Sequence, residues 1–210
     1  MKITLVKDGR EAIHRMPKHW NDLSLKKYIR VMKVLRDKNI TTDLEKVAKM
    51  IRILTDINEE DILRLPAHNV HVLGGYLARF LATEPNDELN HVLKFNGVKY
   101  GFHPKLSDIS FGEWVDIDNY IKEGVEDNLH KIMAVLYRPI KEITGDKYQI
   151  EEYTPSKERD QVMLDNLKVG DFHGVSVFFS SLGLELSTAS VKSSIQELKQ
   201  ERKRRQEEGT

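Results

Sequence analysis

Three carboxylates fall within six residues in the stretch "GEWVDID", at Glu113, Asp116 and Asp118. A cluster of this kind could hold a divalent cation or divide acid and base roles between two oxygens, provided the backbone brings the oxygens together. Histidines supply the other candidate chemistry. His68 and His71 stand three apart, a spacing that can ligate a metal on a helix, but two ligands do not make a site. His103 beside Pro104 and His173 beside Gly174 have no serine or carboxylate partner recognisable from spacing, and His130, ahead of an apolar helical stripe, reads as bordering the core. No G-x-S-x-G elbow, P-loop or G-x-G-x-x-G phosphate cradle occurs, and the chain has no cysteine for thiolate or zinc chemistry. The one basic run, Arg202 to Arg205, is hemmed by Glu201, Glu207 and Glu208 without interleaved aromatics, so it reads as a solvated helix end and not as a nucleic-acid contact.

Whether the carboxylates converge depends on the element that carries them. Ser110 followed by Glu113 is a capping-box pattern that starts a helix at about Phe111 and carries it to about Lys122. Residues two apart on a helix diverge by roughly 200°, so Asp116 and Asp118 point away from each other. Phe111, Trp114, Val115 and Ile121 supply an apolar side, and the carboxylates are expected on a solvated face. The cluster then marks a helix and not a metal or acid–base centre.

The surrounding elements follow from periodicity and turn chemistry. "KITLV" and "EAIHRM" flank Asp8-Gly9 as a hairpin, and Asn96-Gly97 between "HVLKF" and "VKYGF" is a stronger one. Between the hairpins run short amphipathic helices. Ser24 caps the stripe Leu25, Tyr28, Ile29, Met32 and Leu35, and Thr42 with Glu45 opens the next; a later helix carries Val70, Leu73, Leu77 and Phe80. Gly74-Gly75 within that last pattern suits close helix packing. Past Gly124, the residues Leu129, Ile132, Met133, Leu136 and Tyr137 predict a buried helix ended by Pro139, followed by loop or edge strand turning at Gly145-Asp146. A helix over about 157–167 follows. After it come Phe172, Val175, Phe179 and Leu182 on one face.

The fold expected is α+β and predominantly helical: a helical core with a small β-hairpin near 91–103 and a C-terminal helical extension. One domain spans 1–186, and 187–210 forms a charged helix or tail. Its 33 basic and 33 acidic residues cancel, which gives no general pull toward nucleic acid or anionic membrane. The first residues lack the apolar core of a signal peptide, and no apolar run approaches the roughly 20 residues that span a bilayer, so a soluble cytoplasmic protein without membrane contact is expected.

At "YGFHPKLSDISFGEWVDIDNYI" and "NLHKIMAVLYRPI" the chain resembles the baseplate-hub assembly proteins of T-even-like bacteriophages, with a "YGF-x-P" exit at Tyr100–Pro104, a "GEWxD" helix at Gly112–Asp116 and an "MAVLYRP" element at Met133–Pro139. A later "FF…LG-x-EL" element falls on Phe178 to Leu186, so the likeness covers about residues 94–186. The resemblance implies a non-enzymatic factor in the host bacterial cytoplasm, without cofactor or metal. Its partners would be phage tail or baseplate hub proteins, such as the tape-measure protein. The alternative is a structural subunit retained in the virion tail. Trp114, Phe178, Phe179, Val191, Ile195 and Leu198 are the candidate partner-binding residues, an aromatic-rich surface continued by the thin apolar stripe of the tail.

Overall fold

The computed structural model of this chain describes residues 2–7, 9–86 and 88–176. The N-terminal hairpin pairs β1 (Lys2–Lys7) with β2 (Arg10–Arg15), and Gly9 takes the positive φ of 74° that the turn requires. Four helices follow: α1 (Leu25–Arg36), α2 (Asp43–Thr55), α3 (Glu59–Leu63) and α4 (Ala67–Leu81). Their starts obey local chemistry. The side chains of Ser24, Thr42 and Asn58 each accept the backbone N–H three residues on, satisfying a donor that the first helical turn leaves without a partner. The predicted stripe of α4 is buried at Val70, Leu73, Leu77 and Phe80, and Gly74 faces Val47 of α2 closely enough that a Cβ would meet it at 3.4 Å.

The second hairpin, β3 (Val92–Phe95) and β4 (Val98–Phe102), turns at Asn96 and Gly97 with φ of 50° and 83°, the type I′ signature. It is half of a larger sheet. The segment expected as loop or edge strand forms a hairpin of its own, β5 (Tyr137–Thr144) with β6 (Lys147–Ile150), and the sheet runs β3-β4-β5-β6, antiparallel throughout. Helix α5 (Phe111–Leu136) breaks at Gly124, where φ 118° and ψ 110° leave the helical region, and then passes into β5 without a loop. Tyr137, expected on the helical stripe, is therefore the first strand residue, and Pro139 lies inside β5 and does not end the helix. The pairing Phe102↔Tyr137 and Tyr100↔Pro139 holds this segment extended. Burying Tyr137, whose hydroxyl donates to the Asn90 carbonyl, rewards the strand over another helical turn.

Helix α6 (Lys157–Asn166) packs on α5 and α1, and helical residues 169–176 follow. The segment between them is stitched to the start of α1: Leu25 N–H donates to the Leu167 carbonyl at 2.8 Å and Val169 N–H to the Leu23 carbonyl at 2.9 Å. One apolar cluster joins these parts, with Leu25, Ile51, Leu77, Met133, Tyr137 and Met163 essentially sealed from solvent. The helix-dominated α+β class read from the sequence is the observed one. The extension at 187–210 and the boundary at 186 lie outside the described residues. Among the described residues, no helix is long and apolar enough to cross a membrane.

Candidate functional site

The first arm of α5, from Phe111 to the break at Gly124, has two faces of opposite and unexpected character. Its inner face carries Glu113. Both halves of the predicted capping box form: Glu113 N–H donates to the Ser110 hydroxyl, and Ser110 N–H donates to Glu113 Oε2 at 2.7 Å. The carboxylate does not reach water. Glu113 is 3% exposed, with Arg138 Nη2 of β5 at 2.8 Å from Oε1 and His103 Nε2, just past β4, at 3.6 Å. This corrects the expectation of a solvated carboxylate face.

His103 Nδ1 accepts the Lys105 N–H, which leaves the neutral ring's proton on Nε2, facing Glu113. Burial pushes the His103 pKa below its ordinary value, Glu113 opposes that shift, and Arg138 adds to it. Burial likewise lowers Arg138 from the usual guanidinium range against the pull of Glu113. Beside them, the Tyr153 ring lies 5.8 Å from the Arg138 guanidinium and 6.0 Å from that of Arg159, and its hydroxyl donates to Asp116. Burial and then Asp116 raise the Tyr153 pKa. Asp118 turns the other way, to Lys122 one turn on. The three carboxylates of "GEWVDID" thus take three separate partners, as helical geometry requires.

A histidine, a glutamate and an arginine in contact resemble acid–base machinery. All three are more than nine-tenths buried, and their contacts tie α5 to β5 and to the end of β4. It decides how the helix is rotated. Glu113 and Ile117 define the inner face, so the side expected to be covered points outward: Phe111 is 84% exposed, Trp114 58%, and Ile121 and Val125 are also exposed. Phe111, Trp114 and Ile121 fall within an arc of about 80° on the helix, which Asp118 also shares. A buried charge opposite an exposed aromatic stripe inverts the usual preference, and such an inversion is informative about function.

Trp114 is the candidate partner residue that the described structure places, and it stands with Phe111, which the sequence reading had assigned to the apolar side without choosing it as a partner contact. Phe178, Phe179, Val191, Ile195, Leu198 and the Arg202–Arg205 run lie outside the described residues. His68 and His71 are exposed on α4. His130 is half-buried on the second arm of α5, and burial lowers its pKa. Among the described residues, no group of three or more histidine, cysteine, aspartate or glutamate side chains is arranged to hold a metal ion. A cleft of about 490 Å³ opens at the Gly124 break, lined by Tyr28, Arg36, Val125, Leu129, Phe172 and Ser176. No family model matches this sequence, and no curated protein or solved structure matches it either.

Proposed function

We propose that this chain is a non-enzymatic assembly factor for a phage tail or baseplate hub, acting in the cytoplasm of the infected bacterium. It would hold an apolar helix of the tape-measure or hub protein against the outer stripe of α5 until that partner is incorporated. The observation that carries this reading is the exposed pair Phe111 and Trp114 on a helix whose rotation is locked from behind by Glu113. Aromatic side chains on a rigid support are the usual anchors of an interface, and an amphipathic helix with apolar residues at i, i+3, i+4 and i+7 is the partner chemistry that fits such a stripe. The resemblance adds to it. Three of the four quoted motifs supply a member of the buried cluster or the stripe: "YGFHP" gives His103, "GEWVD" gives Glu113 and Trp114, and "MAVLYRP" gives Arg138; the fourth lies outside the described residues.

The test is affinity purification of the tagged chain from infected cells, alongside mass spectrometry of purified particles. The expected result is co-purification with a tape-measure or hub component and absence from finished virions. Stoichiometric presence in the particle would make it a structural subunit instead. Recovery with neither component in the infected cell would overturn the tail assignment.

A further inference from the structure

Apart from the α5 stripe, the four-stranded sheet leaves a second surface open. Lys94 of β3 lies directly opposite Lys99 of β4, and directly opposed residues of an antiparallel pair point to the same face. Two positions further along, Val92 and Gly101 share that face, and the Tyr148 ring crosses Gly101 so closely that no Cβ would fit. Its hydroxyl donates to the Phe102 carbonyl at 2.8 Å, so the ring is a fixed floor. A groove of about 820 Å³ opens here, with Val92, Ile140 and Ile143 among its lining and Lys99 and Lys147 on its rim. Val92 is 38% exposed and Ile143 54%.

The charges on this face are unbalanced. Lys105, also on the rim, is neutralised by Asp108 at 2.8 Å. Lys94, Lys99 and Lys147 have no carboxylate within ion-pair distance among the described residues, and Asp146 is the one acid among the described residues of the lining. Like charges placed directly opposite each other work against a hairpin. Lysine on an edge strand guards a sheet against unwanted pairing, which accounts for Lys94 on β3 but not for Lys99 on the inner strand β4.

We infer that this groove docks an acidic segment of another protein, whose carboxylates meet Lys94, Lys99 and Lys147 while its aliphatic side chains lie on Val92, Ile140 and Ile143. Charge complementarity selects this occupant. A second copy in a two-fold contact would bring the same lysines against themselves. A nucleic-acid strand stacks its bases on aromatic faces, whereas Val92 and Ile143 offer aliphatic ones. The surface is distinct from the outer stripe of α5, and the inference does not rest on the tail-assembly reading.

The test is fluorescence anisotropy of the full-length protein with three labelled probes: a short peptide alternating glutamate and valine, the same peptide with glutamine for glutamate, and single-stranded oligothymidylate. The acidic peptide should bind saturably, and the glutamine peptide about tenfold more weakly. Lys99→Glu turns the cross-strand repulsion into attraction, so it should melt no lower than the natural chain. Combined as Lys99→Glu/Lys147→Glu, it should lower affinity for the acidic peptide by about tenfold or more. Ile143→Ser, which changes no charge, should weaken the same peptide. Arg15→Glu/Lys18→Glu, at exposed cations lining a different cleft, should leave it unchanged. No saturable binding of the acidic peptide, or an affinity unchanged in Lys99→Glu/Lys147→Glu, would overturn the inference. Equal losses in the Arg15→Glu/Lys18→Glu control would overturn it too, by reducing the effect to bulk charge. Tighter binding of oligothymidylate than of the peptide would do so by naming nucleic acid as the occupant. Because the assay uses purified protein alone, its failure leaves the tail-assembly reading standing, and failure of that reading in infected cells leaves this groove standing.

Discussion

Glu113 does two jobs with two oxygens. One caps the helix at Ser110, and the other faces Arg138 and His103 in a space closed to water. A buried ion pair gains little over a good apolar packing, but removing one member leaves the other charge stranded. Glu113→Ala should therefore destabilise the fold by about 3–5 kcal/mol in urea unfolding, whereas an exposed pair such as Lys33–Asp127 should cost under about 1 kcal/mol when broken. Acid should act through His103. Its folded pKa lies below the ordinary 6.5, so the unfolded chain binds the proton more readily. The stabilisation is complete above 6.5 and falls away as pH drops below it toward the folded value. His130 adds to the same slope, while the half-buried Asp160 and Asp171, raised from 3.8, act with the opposite sign in the carboxylate range. Melting temperatures measured from neutral to mildly acidic pH should decline in the natural chain and decline less in His103→Gln.

At the scale of elements, two glycines set geometry that a side chain would spoil. Gly124 breaks α5 at φ 118°, a conformation closed to side chains with a Cβ, and Gly124→Ala should cost about 1–3 kcal/mol in the same unfolding assay. At Gly101 the Tyr148 ring crosses the sheet so closely that an added Cβ would sit 2.4 Å from it, and the ring's hydroxyl donates to the Phe102 carbonyl at 2.8 Å. Gly101→Ala should displace that ring and reduce amide protection in β6. Local chemistry made the caps at Ser24, Thr42 and Ser110 and the Asn96-Gly97 turn legible in the sequence, since each depends on neighbours within four residues. The turn of the β5–β6 hairpin at Gly145-Asp146 was legible, but the start of β5 at Tyr137 was not. The apolar stripe of α5 runs unbroken from Met133 through Tyr137, and the switch to strand is made by pairing with β4, some 35 residues earlier. The rotation of α5 was hidden for the same reason, because Arg138 lies 25 positions from Glu113 and no helical window contains both.

For the whole molecule, the buried contacts of the first arm of α5 and the surface proposed to work lie on different faces of one helix. The inner side holds α5 to the sheet, and the outer side contributes almost nothing to the described fold. Substitutions at Phe111 and Trp114 should therefore leave stability within about 0.5 kcal/mol while removing the aromatic anchors of any interface. Of the partner residues at 178–198, Val191, Ile195 and Leu198 rest on the thin apolar stripe of the tail, and Phe178 and Phe179 on being adjacent aromatics that a helix points about 100° apart. Trp114 was chosen for its ring, although no feature of its local pattern distinguishes an outward tryptophan from a buried one. The most direct measurement pairs unfolding of purified Phe111→Ser/Trp114→Ser with production of infectious tails by a phage carrying the same two changes. Unchanged unfolding with loss of assembled tails is the predicted result. Normal tails from a variant folded as well as the natural chain would show that the outer face of α5 is not the working surface.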